Sequence, residues 1–342
     1  MYFLPTTVIF ISLAIFTFVY TIKNREQKRK RKIFANELLI GALFLLSGII
    51  FPFMYQAHSN LSPETLNFLW LSTSLILTIE TLVWISILIK NSFKMKRHPE
   101  LVWDYDSFCV EFKANWKYDF KKDVERKLLH LLPVAVILVF WSLGVILNAL
   151  GVLEKWGLDT YSFAFWLIIT IGFGFCIMFQ VADLARLTKP QLLPGWAQKW
   201  YSKSMKPDEL DTFVSSAPMV LSFVPFVFAP FPIFATVALI TAVADAVASL
   251  VGKKYGKRRF RENSIKTIEG YVAGAGMTFI IVIIVAGIYI NWMAVNIVII
   301  LTMAIVASII FFLVDAFLSK SITDNILNPI LTGIGMWFIL II

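Results

Sequence analysis

The strongest constraint on this chain is a series of ten apolar runs, each about as long as a helix that crosses a bilayer. Such a helix needs about 20 predominantly apolar residues. Hydrophobic residues make up 58% of the 342-residue sequence and charged residues 15%, whereas a soluble domain is about half apolar and about a quarter charged. The sequence therefore predicts an all-α, polytopic integral membrane protein with about ten transmembrane helices. The predicted spans are 2–22, 38–56, 66–89, 128–150, 160–181, 212–229, 231–252, 270–290, 292–318 and 325–342.

Basic residues lie almost entirely in alternate loops. Five loops that would share one side of the membrane hold 30 of the 31 Lys and Arg residues, and Lys155 alone falls on the other side. Because Lys and Arg are enriched in cytoplasmic loops, we expect these loops in the cytoplasm and both termini on the opposite side. The net charge of +9 then indicates contacts with membrane lipids rather than with nucleic acid. The five loops are 23–37, 90–127, 182–211, 253–269 and 319–324.

The segment at 241–270, TAVADAVASLVGKKYGKRRFRENSIKTIEG, breaks the apolar pattern. Its Asp245 lies among alanines, with no basic residue close in sequence. An unpaired charge at the edge of the hydrocarbon is costly, so Asp245 is expected to need a ligand or a metal from elsewhere. On a helix, Asp245, Ser249 and Gly252 would form one stripe, because they are spaced at i, i+4 and i+7.

Two glycines and two lysines follow at the start of a basic loop. Gly252 and Gly256 enclose Lys253 and Lys254, so the backbone could approach a bulky anion beside positive charge. The alternative is that these lysines are topology charges and nothing more.

The next span opens with Lys266 and Glu269, which add a cation, a carboxylate and the free N–H groups of a helix N-terminus. Carboxylates on two helices that face a basic, glycine-containing loop suit Mg²⁺ together with phosphates. The loop lacks the GxxxxGK[ST] pattern of a Walker A motif. The residues therefore predict a cytoplasmic site for an Mg²⁺-bound polyphosphate, with a second substrate held in the membrane.

Other ionisable residues near the cytoplasmic ends of spans are functional candidates, because such groups are costly at the edge of the hydrocarbon. Asp183 and Arg186 end the fifth span; they are candidates for binding metal and phosphate, or they form a simple ion pair at spacing i, i+3. Arg126 and His130 open the fourth span, where His130 is alternatively an interfacial histidine with satisfied hydrogen bonds.

Three blocks, in this order, resemble the polyprenol kinase family: dolichol kinases, phytol and farnesol kinases, and CTP-dependent diacylglycerol kinases. ERKLLH (125–130) is similar to the family's opening (E/R)RKxxH, and ADAVASLVGKKYGK…KTIEG to its nucleotide-binding signature. DAFLSKSITDNILNPILTG (315–333) is similar to its closing block. The resemblance implies a catalytic core with about seven spans at 124–342, after an N-terminal extension at 1–123 with three spans and an interfacial cytoplasmic loop.

The resemblance also implies a reaction. The γ-phosphoryl group of CTP, or of another nucleoside triphosphate, would move with Mg²⁺ onto a polyprenol- or dolichol-type alcohol, giving polyprenyl monophosphate and CDP. Asp245 and Glu269 would bind Mg²⁺ or the metal-bound triphosphate. Lys253, Lys254 and Lys266 would neutralise phosphate.

Two further pairs receive roles from the resemblance. Asp324 and Asn325 would orient the attacking hydroxyl, and Arg126 with His130 would contact phosphate or the lipid alcohol. The chain departs from the family where two adjacent acids become Thr323 and Asp324. A preceding glutamate of the family is matched by a shorter acid, Asp315.

Three other functions compete with this one. A phosphatidate cytidylyltransferase-like CDP-lipid synthase shares the KTxEG element, but the chain lacks that family's GHGGxxDRxD element. The kinase could act instead on phytol, geranylgeraniol or diacylglycerol. A transporter or scaffold is disfavoured because the polar residues gather at one face rather than at mid-bilayer. The donor nucleotide, the oligomeric state and the membrane (endoplasmic reticulum in a eukaryote, plasma membrane in a prokaryote) stay open.

Overall fold

The protein is built almost entirely from helices. The computed structural model describes residues 1–30, 33–98, 105–116, 120–259, 266–318 and 322–342. Helices make up 85% of the structure, and the described residues form no strand. The predicted all-α fold is therefore confirmed. Parts of the predicted loops 23–37, 90–127, 253–269 and 319–324 lie outside the described residues.

Seventeen α-helices follow one another in the described chain. They are α1 (Leu4–Lys23), α2 (Arg25–Lys30), α3 (Phe34–Met54), α4 (Pro63–Arg97), α5 (Tyr105–Asn115), α6 (Phe120–His130), α7 (Leu132–Ala149), α8 (Val152–Lys155), α9 (Thr160–Thr188), α10 (Gly195–Ser204), α11 (Ser216–Phe223), α12 (Phe231–Leu239), α13 (Asp245–Tyr255), α14 (Ile268–Ile288), α15 (Ile290–Met293), α16 (Ile297–Leu313) and α17 (Asp324–Ile341). Two π turns, Ile240–Ala244 and Val314–Leu318, adjoin α13 and α16.

Nine helices of the described chain are long and apolar enough to cross a membrane, so this is a multi-pass membrane protein whose outer surface contacts lipid. They correspond to nine of the ten predicted spans. The sixth, 212–229, is instead a shorter apolar helix, Ser216–Phe228, that ends in a 3-10 turn. Pro225 in that turn has no N–H to donate to a helical hydrogen bond. The predicted orientation of the termini depends on a crossing here and stays a prediction.

The chain forms two compact units. The first comprises Met1–Arg126 and Leu147–Leu221, and the second comprises Lys127–Ile146 and Ser222–Ile342. The predicted division after residue 123 rests on a sequence resemblance rather than on compactness, and it stays a prediction.

Polar side chains join the helices of the first unit within their apolar stretches. Thr73 Oγ1 on α4 lies 2.8 Å from Thr170 Oγ1 on α9 and 2.7 Å from the Tyr55 hydroxyl. Trp166 Nε1 donates to Ser72 Oγ over 3.0 Å. Each such hydrogen bond between helices in hydrocarbon stabilises the packing by about 1 kcal/mol. Together they fix α4 against α9.

In the second unit, α12 and α13 form one helical rod through the π turn Ile240–Ala244. Thr267 is the N-cap of helix α14, and its Oγ1 accepts from Gly270 N. On the far end of the unit, the Trp141 and Phe231 rings stack with centroids 3.5 Å apart. The ends of these helices carry the ionisable residues described next.

Candidate active site

Six ionisable side chains gather on the helices of the second unit, and we call them the charged cluster. They are Lys127, His130, Asp245, Lys266, Asp315 and Asp324. Four of the six are residues that the sequence predicts for the site. The structure adds Lys127 and Asp315; in the sequence, Asp315 is the shorter match to a glutamate of the family pattern.

Lys266 lies just before α14 and joins two acids from other helices. Its Nζ donates to Asp315 Oδ1 over 2.6 Å and to Asp324 Oδ2 over 2.7 Å. The Asp315 side chain is buried, whereas 22% of the Asp324 side chain and 35% of the Lys266 side chain are exposed. Burial alone would lower the pKa of the Lys266 ammonium, but the Asp324 and Asp315 carboxylates, with Asp245 beyond them, raise it above its ordinary value. Lys266 is therefore a fixed positive charge.

Asp245 forms a buried ion pair with Lys127 of α6. The sequence offers Asp245 no basic residue nearby and leaves a ligand or a metal as its expected partner; the structure adds a protein partner, Lys127, from 118 residues earlier in the chain. His130, one turn along from Lys127, also interacts electrostatically with Asp245. Removing one member of a buried ion pair costs about 3–5 kcal/mol, because the other charge stays buried. The pair therefore makes the position of Asp245 depend on α6.

Both buried aspartates adjoin π turns. Asp245 follows Ile240–Ala244 directly, and Asp315 lies within Val314–Leu318. A π turn contains one extra residue, so the side chains that follow it are rotated about the helix axis. Such turns are frequent at functional sites. In two otherwise apolar helices, this shift lets one acidic side chain face the unit's interior.

Arg126 lies next to Lys127 but has different partners. Its guanidinium is 3.4 Å from Asp123 Oδ1 and 3.9 Å from Glu209 Oε1, within the first unit. The sequence favours Arg126 because it pairs with His130 at i, i+4, yet Lys127 and His130 at i, i+3 share a helix face equally well. Of the ERKLLH block, it is Lys127 rather than Arg126 that contacts Asp245.

The predicted glycines serve the packing of α13 on α14. A Cβ added to Gly252 would lie 3.3 Å from Gly270 Cα, and one added to Gly270 would lie 2.7 Å from the Ala248 carbonyl oxygen. A Cβ on Gly256 would lie 2.3 Å from Thr267 Oγ1. Small residues let two membrane helices approach closely. Packing by itself therefore requires glycine here, and a role of Gly252 or Gly256 toward phosphate stays a prediction.

Glu269 lies at the start of α14 and turns toward the basic loop. Its two carboxylate oxygens accept from Arg258 N over 3.3 and 3.4 Å. Lys253 and Lys254 are exposed at the end of α13, and Lys254 Nζ lies 5.3 Å from the centre of the Tyr255 ring. Glu269 thus fixes Arg258, in the loop that follows these lysines.

The remaining predicted residues of the second unit are half-buried. Ser249 lies on α13, one turn after Asp245. Asn325 lies in the first turn of α17, where its backbone N–H donates to Thr323 Oγ1 over 3.4 Å and its carbonyl accepts from Ser222 Oγ. Asn325 therefore follows Asp324 on the same capped helix end.

Asp183 and Arg186 belong to the first unit, where they hold the chain at 210–214. Arg186 Nε donates to Asp183 Oδ1 over 3.1 Å, and its other nitrogens donate to the Leu210 and Thr212 carbonyls over 2.7 and 2.6 Å. Asp183 Oδ2 accepts from Val214 N over 2.7 Å. These contacts favour the ion-pair interpretation over a role in binding metal or phosphate.

The described residues contain no group of three or more His, Cys, Asp or Glu side chains arranged to hold a metal ion. Mg²⁺ at nucleotide sites is commonly held by only one or two carboxylates, with phosphate and water oxygens completing its shell. Asp315 and Asp324 supply two such carboxylates. One oxygen of each already lies beside the same cation, the Lys266 ammonium. The donor set therefore fits Mg²⁺ on a nucleotide. The metal role predicted for Asp245, Glu269 and Asp183 stays a prediction.

Comparisons with protein-family models, with curated proteins and with solved structures find no match. The resemblance to the polyprenol kinase family rests on the three sequence blocks and stays a prediction.

Proposed function

We propose that this protein is a membrane-embedded lipid-alcohol kinase that transfers the γ-phosphoryl group of CTP to a polyprenol- or dolichol-type alcohol, giving a polyprenyl monophosphate and CDP. The observation that carries the proposal is the charged cluster, which sets two lysines among three aspartates on apolar helices. Phosphoryl transfer requires positioning and neutralisation of charge more than covalent chemistry from the protein. A lipid substrate would enter from the bilayer, and the polar substrate from water.

Each member of the cluster has a role in this proposal. Lys266, kept protonated by its acidic neighbours, neutralises charge on the transferred phosphoryl group. Asp315 and Asp324 would hold Mg²⁺, and the ion would supply positive charge to the phosphates of the nucleotide. Asp245 positions Lys127, which offers a second ammonium to the triphosphate.

Asp324 is also the residue best suited to receive the proton of the attacking alcohol. Its side chain is the most exposed among the three aspartates of the cluster, and it opens α17 beside Asn325. The hydroxyl oxygen forms a bond to the γ-phosphorus, its proton passes to the Asp324 carboxylate, and CDP leaves with the electrons of the broken P–O bond.

Product analysis on the purified protein tests the proposal. The reaction contains CTP labelled at the γ-phosphate, Mg²⁺, and polyprenol, phytol, diacylglycerol and phosphatidate together. The expected result is label in a lipid monophosphate with release of CDP, and the labelled lipid identifies the substrate class. Label in pyrophosphate with formation of a CDP-lipid would overturn the kinase and make the protein a cytidylyltransferase. No product from any substrate also contradicts the proposal.

A further inference from the structure

One carboxyl group lies in the middle of an apolar helix of the first unit, away from the charged cluster. Glu80 is on α4, ten residues before Lys90, where the basic end of that helix begins. At 1.5 Å per residue, ten residues extend about 15 Å along the helix axis. The hydrocarbon core of a bilayer is about 30 Å thick. With Lys90 at the edge of that core, Glu80 lies at its centre.

A glycine on the neighbouring helix makes room for this carboxyl. Glu80 Oε2 lies 2.8 Å from the point where a Cβ of Gly174 on α9 would stand, and the Leu77 side chain is 3.8 Å from the same point. The thiol of Cys176, which is fully buried in α9, is also near this carboxyl. The carboxyl therefore lies over Gly174, where α4 packs on α9.

In the part of the chain that the structure describes, the Glu80 carboxyl makes no hydrogen bond and no ion pair. The polar residues that precede it on the same helix are paired, since Ser72 accepts from Trp166 and Thr73 bonds with Thr170. Glu80 is half-buried, so the rest of its side chain faces the hydrocarbon. A carboxylate is costly there without a partner, and the neutral acid is the form that such a place favours.

We propose that Glu80, over Gly174, binds the hydroxyl group of a neutral lipid. A neutral carboxylic acid offers one O–H donor and an acceptor oxygen, and a hydroxyl offers the same complement. Lipids with charged headgroups keep those groups at the interface. A long-chain alcohol or a diacylglycerol carries a single uncharged hydroxyl that can reach this depth. The site does not rest on the proposed kinase activity.

Labelling with a hydrophobic carbodiimide tests the site. Dicyclohexylcarbodiimide partitions into the bilayer and reacts with protonated carboxyl groups, forming a stable N-acylurea. We expect Glu80 of the full-length protein in liposomes to be labelled by this reagent and not by a water-soluble carbodiimide, as read from peptide mass spectra. Glu80→Gln should abolish that adduct. Glu64→Gln, at the first turn of the same helix, should leave it unchanged.

Protection of Glu80 from labelling by a bound lipid then identifies the chemical class of that lipid. Geranylgeraniol and dioleoylglycerol serve as the two hydroxyl lipids, and squalene serves as a lipid without a hydroxyl. A ligand present at about ten times its dissociation constant leaves roughly one tenth of a single site free, so labelling should fall by about that factor. The lipid that protects at the lower concentration distinguishes an isoprenoid alcohol from a diacylglycerol.

Two glycine variants test whether the space over Gly174 is part of the site. Gly174→Ala fills the space under the carboxyl and should remove protection while leaving Glu80 reactive. Gly172→Ala is the matched control, because its Cβ would be at an ordinary 3.4 Å from Val220, and it should keep protection. The proposal is overturned if Glu80 is not labelled, if the water-soluble reagent labels it equally, or if squalene protects as well as the alcohols.

Discussion

At the scale of single residues, the charged cluster depends on lysines that each serve acids from other helices. Lys266 holds two of them, Asp315 and Asp324, within 2.7 Å of one nitrogen. Without that ammonium the two carboxylates would face each other with no positive charge between them. The cluster is therefore a set of mutually dependent charges rather than a group of independent ligands.

Replacement of this lysine should show that dependence. We expect Lys266→Met to abolish phosphoryl transfer and to lower the free energy of unfolding by about 1–3 kcal/mol, because two acids lose their counter-charge. Thermal unfolding in detergent measures the second effect. Lys254→Met, which removes an exposed lysine of the same region, should stay within about 0.5 kcal/mol of the parent. Equal melting temperatures for the two variants would contradict the bridging role.

The raised pKa of Lys266 also predicts how the difference in stability between the parent and Lys266→Met depends on pH. A lysine whose pKa is higher in the folded state than in the unfolded state stabilises the fold. This stabilisation has its full size below the ordinary lysine pKa of about 10.4, and it is lost as pH rises through the folded-state pKa. The gap in melting temperature between the parent and Lys266→Met should therefore be constant from about pH 8 to about pH 9, where the lysine stays protonated and the acids stay ionised. A gap that closes within this window would contradict the assignment.

The pairing of Lys127 with Asp245 can be measured by a double-mutant cycle. Lys127→Met and Asp245→Asn should each destabilise the protein, and the double variant should lose less than the sum. The expected coupling is about 1–3 kcal/mol, as for residues in direct contact. A parallel cycle of Lys254→Met with Asp245→Asn should be additive. Additivity in the first cycle would mean that the pair does not form.

At the scale of helices, close approach is built from glycines. Helix α14 has Gly270 against α13, where an added Cβ would be 2.7 Å from the Ala248 carbonyl oxygen and 3.1 Å from Gly252 Cα. These are backbone atoms, so the clash cannot be relieved by turning a side chain. The contact therefore fixes the distance between the helix that carries Asp245 and the helix that follows Lys266.

A pair of alanine substitutions on α14 tests this contact. Gly270→Ala should lower the free energy of unfolding by about 1–3 kcal/mol through overpacking. Gly276→Ala, which meets nothing within 4 Å, should be neutral or stabilising by up to about 1 kcal/mol, since alanine reduces the freedom of the unfolded chain. Thermal unfolding measures the stability of both variants. An equal loss of stability in the two would exclude close packing as the cause.

Helices were predictable from the sequence where the signal is local. Nine apolar runs become long apolar helices, because each run carries its own signal of length and hydropathy. The run at 212–229 is shorter because Pro225 interrupts its hydrogen bonding. The π turn before Asp245 could not be predicted in this way, because one extra residue in an apolar helix does not change the apolar composition of the run.

The site was predictable only in part. Asp245, Lys266 and Asp324 stand out by charge in apolar surroundings, and the structure brings them together. Lys127 was missed because its partner is 118 residues away, and nothing in the sequence measures that distance. Glu80 was missed because a single acid scarcely changes the hydropathy of a 35-residue helix.

At the scale of the whole molecule, the number of crossings determines where the termini lie. The prediction from basic residues is that both termini are non-cytoplasmic, which requires Ser216–Phe228 to cross as a tenth span. Epitope tags at the two ends of the chain, probed with protease in sealed inside-out vesicles, should both be protected. Cleavage of one tag alone would indicate an odd number of crossings.

The interleaved order of the two units has a consequence for how the protein is made. Lys127–Ile146 of the second unit is synthesised between the two parts of the first unit, Met1–Arg126 and Leu147–Leu221, and the rest of the second unit follows. At about 5–20 residues per second, the 118 residues between Lys127 and Asp245 take the ribosome roughly 6–24 s. During that interval Lys127 is made but Asp245 is not. We expect an anionic lipid headgroup at the membrane surface to pair with this lysine until Asp245 arrives.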